Sequence, residues 1–248
     1  MDLLTNLISY WKLDESSGDR ADSQGTNTLT DNNTVASATG KINLGADFEA
    51  GNPGESLSHA DNASLSTSDI DFSVSCWIKV ESFALTGTVA CKGDNLGDDT
   101  ATEWAVYVNS SNELHFRVGK NGSGFGDVAW SSTISTATWY HVVAWHDSVN
   151  NQVGIVVNAG TAATASWSAG VNDTTNPFYM GSDGSGDRRY DGLVDEFGFW
   201  KRVLTSLEIS QLYNAGAGLP FSSFGASAAP PLGSYTMNTN RLIRGVLS

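Results

Sequence analysis

Two kinds of side chain in this sequence could do chemistry: carboxylates set among glycines, and aromatic rings near the ends of predicted strands. The run Gly181-Ser-Asp-Gly-Ser-Gly-Asp-Arg-Arg-Tyr-Asp191 places Asp183 and Asp187 four residues apart on a backbone that can wrap tightly. Gly93-Asp-Asn-Leu-Gly-Asp-Asp99 has the same character. Hard cations such as calcium take carboxylate and carbonyl oxygens, usually about 6–8 of them, from bent loops of this kind. Neither run has the Asp-x-Asp-x-Asp-Gly order and closing Glu of an EF-hand, so each also fits a solvated acidic turn. Either could supply a calcium that bridges to a sugar hydroxyl.

The rings raise the question of carbohydrate. Sugars present C–H faces that stack on aromatic side chains, and Trp offers the largest surface. Of the eight Trp, Trp130 and Trp167 fall near predicted loop edges, as do Phe125 and Tyr190. Asn121, Asp127, Asn172 and Arg189 lie close to them in sequence and could hydrogen-bond hydroxyls. The same four rings fit ordinary half-buried strand positions. A binding platform needs several of them on one edge, which is a matter of geometry.

Catalysis is poorly supported. Asp195 and Glu196 are adjacent, so strict strand alternation sends them to opposite faces, where they could not flank one glycosidic bond. His59, His115, His141 and His146 lack metalloprotease spacing, and no Gly-x-Ser-x-Gly elbow or P-loop occurs. The expectation is a protein that is not an enzyme.

Charge and composition exclude more. A net charge of −14 over 248 residues argues against nucleic acid, whose phosphates need Lys and Arg. Acidity of this size fits solubility and cation binding. No apolar run approaches the ~18 residues of a membrane span, and no signal-peptide pattern opens the sequence. Cys76 and Cys91 both fall in predicted strands; two buried thiols and a disulfide are both open.

The elements that must position these residues are short strands. Val, Ile and Trp recur in brief runs between Gly, Asn and Asp turns, and thirteen strands are expected between residues 7 and 202. Asn109–Asn112 and Ser148–Asn151 read as hairpin turns. In the last strand, Leu193, Asp195, Phe197 and Phe199 are expected on one face and Val194, Glu196 and Trp200 on the other. A short helix follows, with Thr205 as N-cap and Glu208 completing a capping box. Leu207, Ile209 and Leu212 have roughly helical spacing, and Gly216 is expected just past the end.

Four landmarks in order carry a family resemblance. They are Leu7-Ile-Ser-Tyr-Trp-Lys-Leu-Asp-Glu15, Asp71-Phe-Ser-Val-Ser-Cys-Trp-Ile-Lys79, Thr138-Trp-Tyr-His-Val-Val-Ala-Trp145 with its partner Gln152–Val157, and the closing strand–helix segment 192–216. Over roughly residues 6–221 the chain resembles the laminin-G-like, concanavalin A-like jelly-roll domains of bacterial and viral type. The resemblance implies an all-β fold: a two-sheet antiparallel β-sandwich with one short C-terminal helix and an extended C-terminal tail. It implies that Trp77, Trp139, Trp145 and Trp200 are core or inter-sheet residues and that His141 is structural. The Glu-x-Asp-x-x-Glu strand of related glucanases is absent. Members often hold a structural calcium through a carboxylate on the closing strand; Asp195 matches that position, and Asp47, Asp14 and Glu49 are the candidate partners from the opening strands. The alternative is that Asp195 accepts hydrogen bonds from a turn backbone.

Composition changes after Phe221. Residues 222–234 are small, Pro-containing and linker-like. The end carries Arg241 and Arg244 with Leu242, Ile243, Val246 and Leu247, and no acidic residue. It reads either as a disordered terminus or as a peg that orders on a neighbouring subunit. The expected organisation is a sandwich over 1–221 and a linker with docking tail over 222–248. The expected function is a non-catalytic structural and adhesion protein on a virion or extracellular surface, a phage-type decoration with glycan binding. A free lectin-like module is the alternative. Expected partners are neighbouring subunits and cell-surface glycans, with self-association through strand edges and no membrane insertion.

Overall fold

Runs of β-branched and aromatic residues separated by Gly, Asn and Asp turns fold as the expected strands. The computed structural model describes residues 2–51, 54–83 and 86–225. All strand pairing is antiparallel, in two sheets. The first holds β1 (Leu7–Trp11), β3 (Ala36–Thr39), β4 (Leu44–Phe48), β6 (Phe72–Val80), β11 (Trp139–Asp147), β12 (Gln152–Val157), β13 (Ala163–Ser166) and β15 (Gly192–Trp200). Its order is β13-β12-β11-β6-β15-β4-β3, with β1 also paired to β15. The second runs β10-β9-β8-β7-β14-β5-β2. These are β10 (Gly124–Thr133), β9 (Glu113–Lys120), β8 (Thr102–Val108), β7 (Gly87–Gly93), β14 (Phe178–Met180), β5 (Ser56–His59) and β2 (Thr30–Asn32). The two faces enclose the main core, with Trp11, Phe72, Trp104, Phe116, Phe178 and Phe199 among its largest members.

The structure adds β2 and β3 to the strands expected from sequence. Their residues, Thr-Asp-Asn and Ala-Ser-Ala-Thr, carry no apolar alternation. They are strands because longer neighbours offer them a ladder.

The closing strand departs from simple alternation. Its register against β6 slips between Asp195 and Gly198, and Glu196 takes φ 50°. This β-bulge lies where β15 changes partner, from β4 at Gly192–Val194 to β1 at Phe197–Trp200. The expected face assignment is therefore corrected. Val194, Phe197 and Phe199 enter the inter-sheet core. Trp200 joins a second cluster with Leu3, Leu7, Tyr10, Ile209, Leu212 and Phe224. Glu196 accepts the hydroxyl of Tyr10, a member of that second cluster, at 2.5 Å, and its charge helps raise the pKa of Asp195. Both are sealed from solvent, at 0% and 4% exposure, and cannot reach a glycosidic bond.

The helix α1 (Ser206–Tyr213) has the expected N-cap and capping box. Arg202 grips Glu208 in a two-pronged pair, both N···O distances 2.8 Å, which fixes the cap from outside. The left-handed C-terminal residue is Asn214 (φ 47°) rather than Gly216, and Leu207 is exposed while Ile209 and Leu212 are buried. Cys76 and Cys91 are free buried thiols, Cys76 in the inter-sheet core and Cys91 in a small separate cluster with Leu96, Ala105 and Tyr107. Residues 222–225, linker-like in composition, carry Phe224, which is buried against Tyr10 and Trp200. The docking residues Arg241, Leu242, Ile243, Arg244, Val246 and Leu247 lie outside the described residues.

Candidate saccharide-binding rim

The strand ends of the sandwich set the geometry at one rim. β6 ends at Val80, β7 begins at Gly87 and β8 ends at Val108; the loop entering β15 lies across them. Three backbone bonds hold that loop: Thr88 N–H to Arg188 O (3.0 Å), Glu81 N–H to Asp191 O (2.9 Å) and Tyr190 N–H to Gly181 O (2.8 Å). The result is a cavity of about 250 Å³ with two kinds of wall. Val80, Phe83 and Val108 supply apolar surface; Ser82, Asp187, Arg189 and Asp191 supply donors and acceptors.

Arg189 is braced between two loops. Its Nε donates to Gly186 O at 2.8 Å and its Nη1 to Gly51 O at 2.7 Å. Gly54 lets this happen, since a β-carbon there would fall 2.4 Å from Arg189 Cδ. Asp191 accepts the Ser82 hydroxyl and lies near Asp47 and Glu81, whose pKa values it helps to raise. Asp47, Glu49 and Glu81 converge, with one carboxylate oxygen of each within 4.8 Å of the others. Burial is the main cause of the raised Asp47 and Glu81 values; Asp191 adds to both, Asp47 and Glu49 add to that of Glu81, and Lys79 opposes both.

Chemically, an apolar wall opposite fixed polar groups suits a small polyhydroxylated ligand. The carboxylates lining the cavity itself are Asp187 and Asp191, and Asp191 is already engaged by Ser82.

Of the saccharide residues expected from sequence, Asp187 and Tyr190 line this cavity together. Tyr190 is only 2% exposed, so it forms wall rather than platform. Asp183 is also buried; it accepts from Ser185 Oγ (2.7 Å), Arg188 Nη1 (3.0 Å) and Leu96 N–H (3.3 Å), and pins loops together. Trp167 lies over Gly126 and donates Nε1–H to Gly170 O at 2.6 Å. Trp130 packs at the core edge, edge-on to Tyr140 at 6.1 Å. Phe125 is covered by the Arg117 guanidinium at 4.3 Å. Each ring has contacts of its own, but Phe125 and Trp130 both belong to the edge strand β10 and Trp167 packs on Gly126 of that strand, so these three lie along one edge of the sandwich, none of them lining the cavity. Ser82, Phe83 and Asp191 were missed because nothing in their local sequence distinguishes them; only the convergence of three strand ends does.

Of the calcium ligands expected at Asp195, Asp47, Asp14 and Glu49, the structure gathers Asp47 with Glu49 and leaves Asp195 and Asp14 in contacts of their own. Asp195 Oδ2 accepts the Ile42 N–H at 2.8 Å, and Asp14 accepts from Leu44 N–H (3.3 Å) and Asn43. A backbone N–H presents positive charge where a cation would sit, so Asp195 fits the turn-closing alternative. Burial raises its pKa to about 8, and that of Glu196 to about 7. Asp47 belongs instead with Glu49 and Glu81, a hard-oxygen set whose chemistry fits calcium. His141 is buried, its ring tilted against Trp77 at 5.1 Å and its pKa lowered by burial to about 3.

No curated protein matches the chain in sequence. Several solved structures share its fold. The binding domain of Paraclostridial Mosquitocidal Protein 1 matches with TM-score 0.70 and 18% identity, over 85% of this chain and 52% of that one. Domain 4 of AbnA, an extracellular arabinanase of Geobacillus stearothermophilus solved with arabinotriose, matches with TM-score 0.64 and 20% identity, over 86% and 98%. The binding domain of botulinum neurotoxin serotype G gives 0.67 and 14%, over 85% and 51%. The chain thus spans about half the length of the toxin domains. At these identities the likeness is one of fold. A laminin G-type family model matches residues 50–210, and with both sheets and their order in place the chain belongs to the concanavalin A-like lectin/glucanases superfamily.

Proposed function

We propose that this chain is a non-catalytic saccharide-binding module, displayed on a virion or extracellular surface, whose ligand enters the rim cavity beside Arg189. The observation that carries the reading is the cavity's composition: the half-buried Phe83, backed by Val80, offers a face for sugar C–H groups, and Arg189, Asp187 and Ser82 offer hydrogen bonds to hydroxyls. The solved relatives agree in kind, since two are binding domains and one was determined with a bound arabinose trisaccharide. Asp195 and Glu196 are buried, which leaves no carboxylate pair on the closing strand open to substrate. Calcium enters this reading at Asp47, Glu49 and Glu81, where it would neutralise the rim's acidity next to the cavity. The display part rests on the sequence of the terminal stretch, which is basic and apolar in an otherwise acidic chain.

A glycan array probed with the native chain and with Arg189→Ala tests the site. The native chain should bind at least one glycan class, and the variant should lose roughly tenfold or more in affinity, a hydrogen bond to a charged group being worth about 1.5–3 kcal/mol. An array flat for the native chain sinks the reading. Loss of binding in chelator, restored by calcium, would support the metal at the rim. Deleting residues 226–248 should abolish attachment to a carrier assembly without changing the melting temperature; retained attachment ends the display role.

A further inference from the structure

The opposite rim carries a second concavity, of about 470 Å³, between the 61–70 loop and the 173–175 loop, with Lys201 at its side. It lies at the far ends of the same strands: the first cavity touches the residues before Gly192 of β15, the second the residue after Trp200.

Its floor is built on a buried ion pair. Lys92 and Glu103 are both 0% exposed, and Lys92 Nζ lies 3.1 Å from Glu103 Oε1 and 2.8 Å from Asp61 Oδ1. Lys92 Nζ also donates to Asn176 O at 2.5 Å. Glu103 in turn accepts from both walls: the Thr67 N–H (2.9 Å) and hydroxyl (2.8 Å) on one side, the Thr174 N–H (2.9 Å) and hydroxyl (3.2 Å) on the other. A buried pair of this kind adds little net stability compared with apolar packing, but it fixes geometry. Here it sets the distance between two loops that share no strand ladder. Ser68, on one wall, is held at φ 46°, a left-handed conformation that a non-glycine residue adopts only when its surroundings impose it.

The groups on these walls define what fits. Ser66, Ser68 and Thr175 bring hydroxyls, Asp173 a carboxylate and Lys201 an ammonium. Asp61 and Asp173 disfavour an anion, Lys201 disfavours a cation, and Ile70 is the one large apolar group in the lining. What remains is a neutral ligand dense in hydroxyls. A vicinal diol can donate to a carboxylate and accept from an ammonium or hydroxyl at once. Walls held at a set spacing reduce the ordering cost of binding.

We infer that this groove is a second saccharide site, taking the neutral end of a glycan chain between Asp173 and Lys201. The module is then two-ended and can bridge two glycans without dimerising. The inference shares only its ligand class with the reading of the first rim and uses none of the same residues.

Amide chemical shifts of the full chain, titrated separately with arabinotriose and maltotriose, test it. At least one probe should move the signals of Ser66–Ile70 and Asp173–Thr175 in a saturable way. The double variant Asp173→Ala, Lys201→Ala should weaken that response tenfold or more; because Lys201 Nζ also donates to Ala63 O at 3.0 Å, the single variant Asp173→Ala, which keeps that contact, should weaken it too at an unchanged melting temperature. Shifts confined to Asp187–Asp191 would overturn the second site and leave the first standing. Shifts confined to the groove would uphold the second site and count against the first. No saturable shift at the groove with either probe overturns the inference; the glycan array still judges the first rim alone.

Discussion

Asp195 and Glu196 are the residues most at odds with their surroundings. Each carboxyl keeps one buried oxygen, Asp195 Oδ1 and Glu196 Oε1, without a hydrogen-bond partner. Burial is the main cause of their raised pKa values, about 8 and about 7. Because the folded values exceed the unfolded ones, the stability these groups contribute is fully present below about pH 4 and is lost as pH rises through 7 to 8. Asp127 and Glu208 act in the opposite sense. His115, Tyr107 and Arg117 hold Asp127 down against its burial, and Arg202 with Thr205 does the same for Glu208. Their contribution is lost as pH falls through their folded values. The native chain should therefore be most stable between these limits. Asp195→Asn keeps an acceptor for the Ile42 N–H and cannot ionise. Its melting temperature should exceed that of the native chain by roughly 3–6 °C at pH 9, with the gap closing toward pH 5, as read by calorimetry. An unchanged gap across that range would contradict the assignment.

At the scale of elements, the helix was the most legible feature. Thr205 and Glu208 stand three apart before an apolar run, and the structure has both halves of the capping box. Thr205→Ala should lower stability by about 1 kcal/mol, measurable as a shift in denaturant midpoint at unchanged slope. A null effect would mean that the Arg202–Glu208 pair holds the helix end alone. The long strands were equally readable, because β6, β11 and β15 are rich in aromatic and β-branched residues. The bulge was not. It arises because β15 must pair with β4 and then β1 on one edge while keeping β6 on the other. That demand comes from tertiary partners, and nothing in Asp-Glu-Phe-Gly announces it. The candidate site was half legible for the same reason. Asp187 and Tyr190 meet at the rim cavity, whereas Trp130 and Trp167 pack half-buried elsewhere, because whether an aromatic near a loop turns inward depends on its tertiary partners. Gly126 leaves the space that Trp167 fills.

For the molecule as a whole, two opposed rims and one sealed face divide the labour. The sealed face is the second cluster, where Tyr10 stacks on Phe221 and meets Phe224 edge-on, both at 4.9 Å. Phe224→Ala should cost about 3 kcal/mol and lower the melting temperature by roughly 6–12 °C. Deletion of 226–248 leaves this cluster whole. A Phe224→Ala variant that melts with the native chain would show that the segment rests on the sandwich without supporting it.

Residues near both limits of the described chain converge on Trp200. Its Nε1–H donates to Leu3 O at 2.7 Å, Phe224 stacks on its ring, and a β-carbon at Gly225 would come within 3.4 Å of Leu4. A pull applied at these two points would be borne locally. It would peel Phe224 away first, and only the later unzipping of β1 from β15 would draw Trp11 from the inter-sheet core. A tether at either point, or at both, would leave the two rims unloaded, so a ligand held there need not feel tension in the anchoring chain.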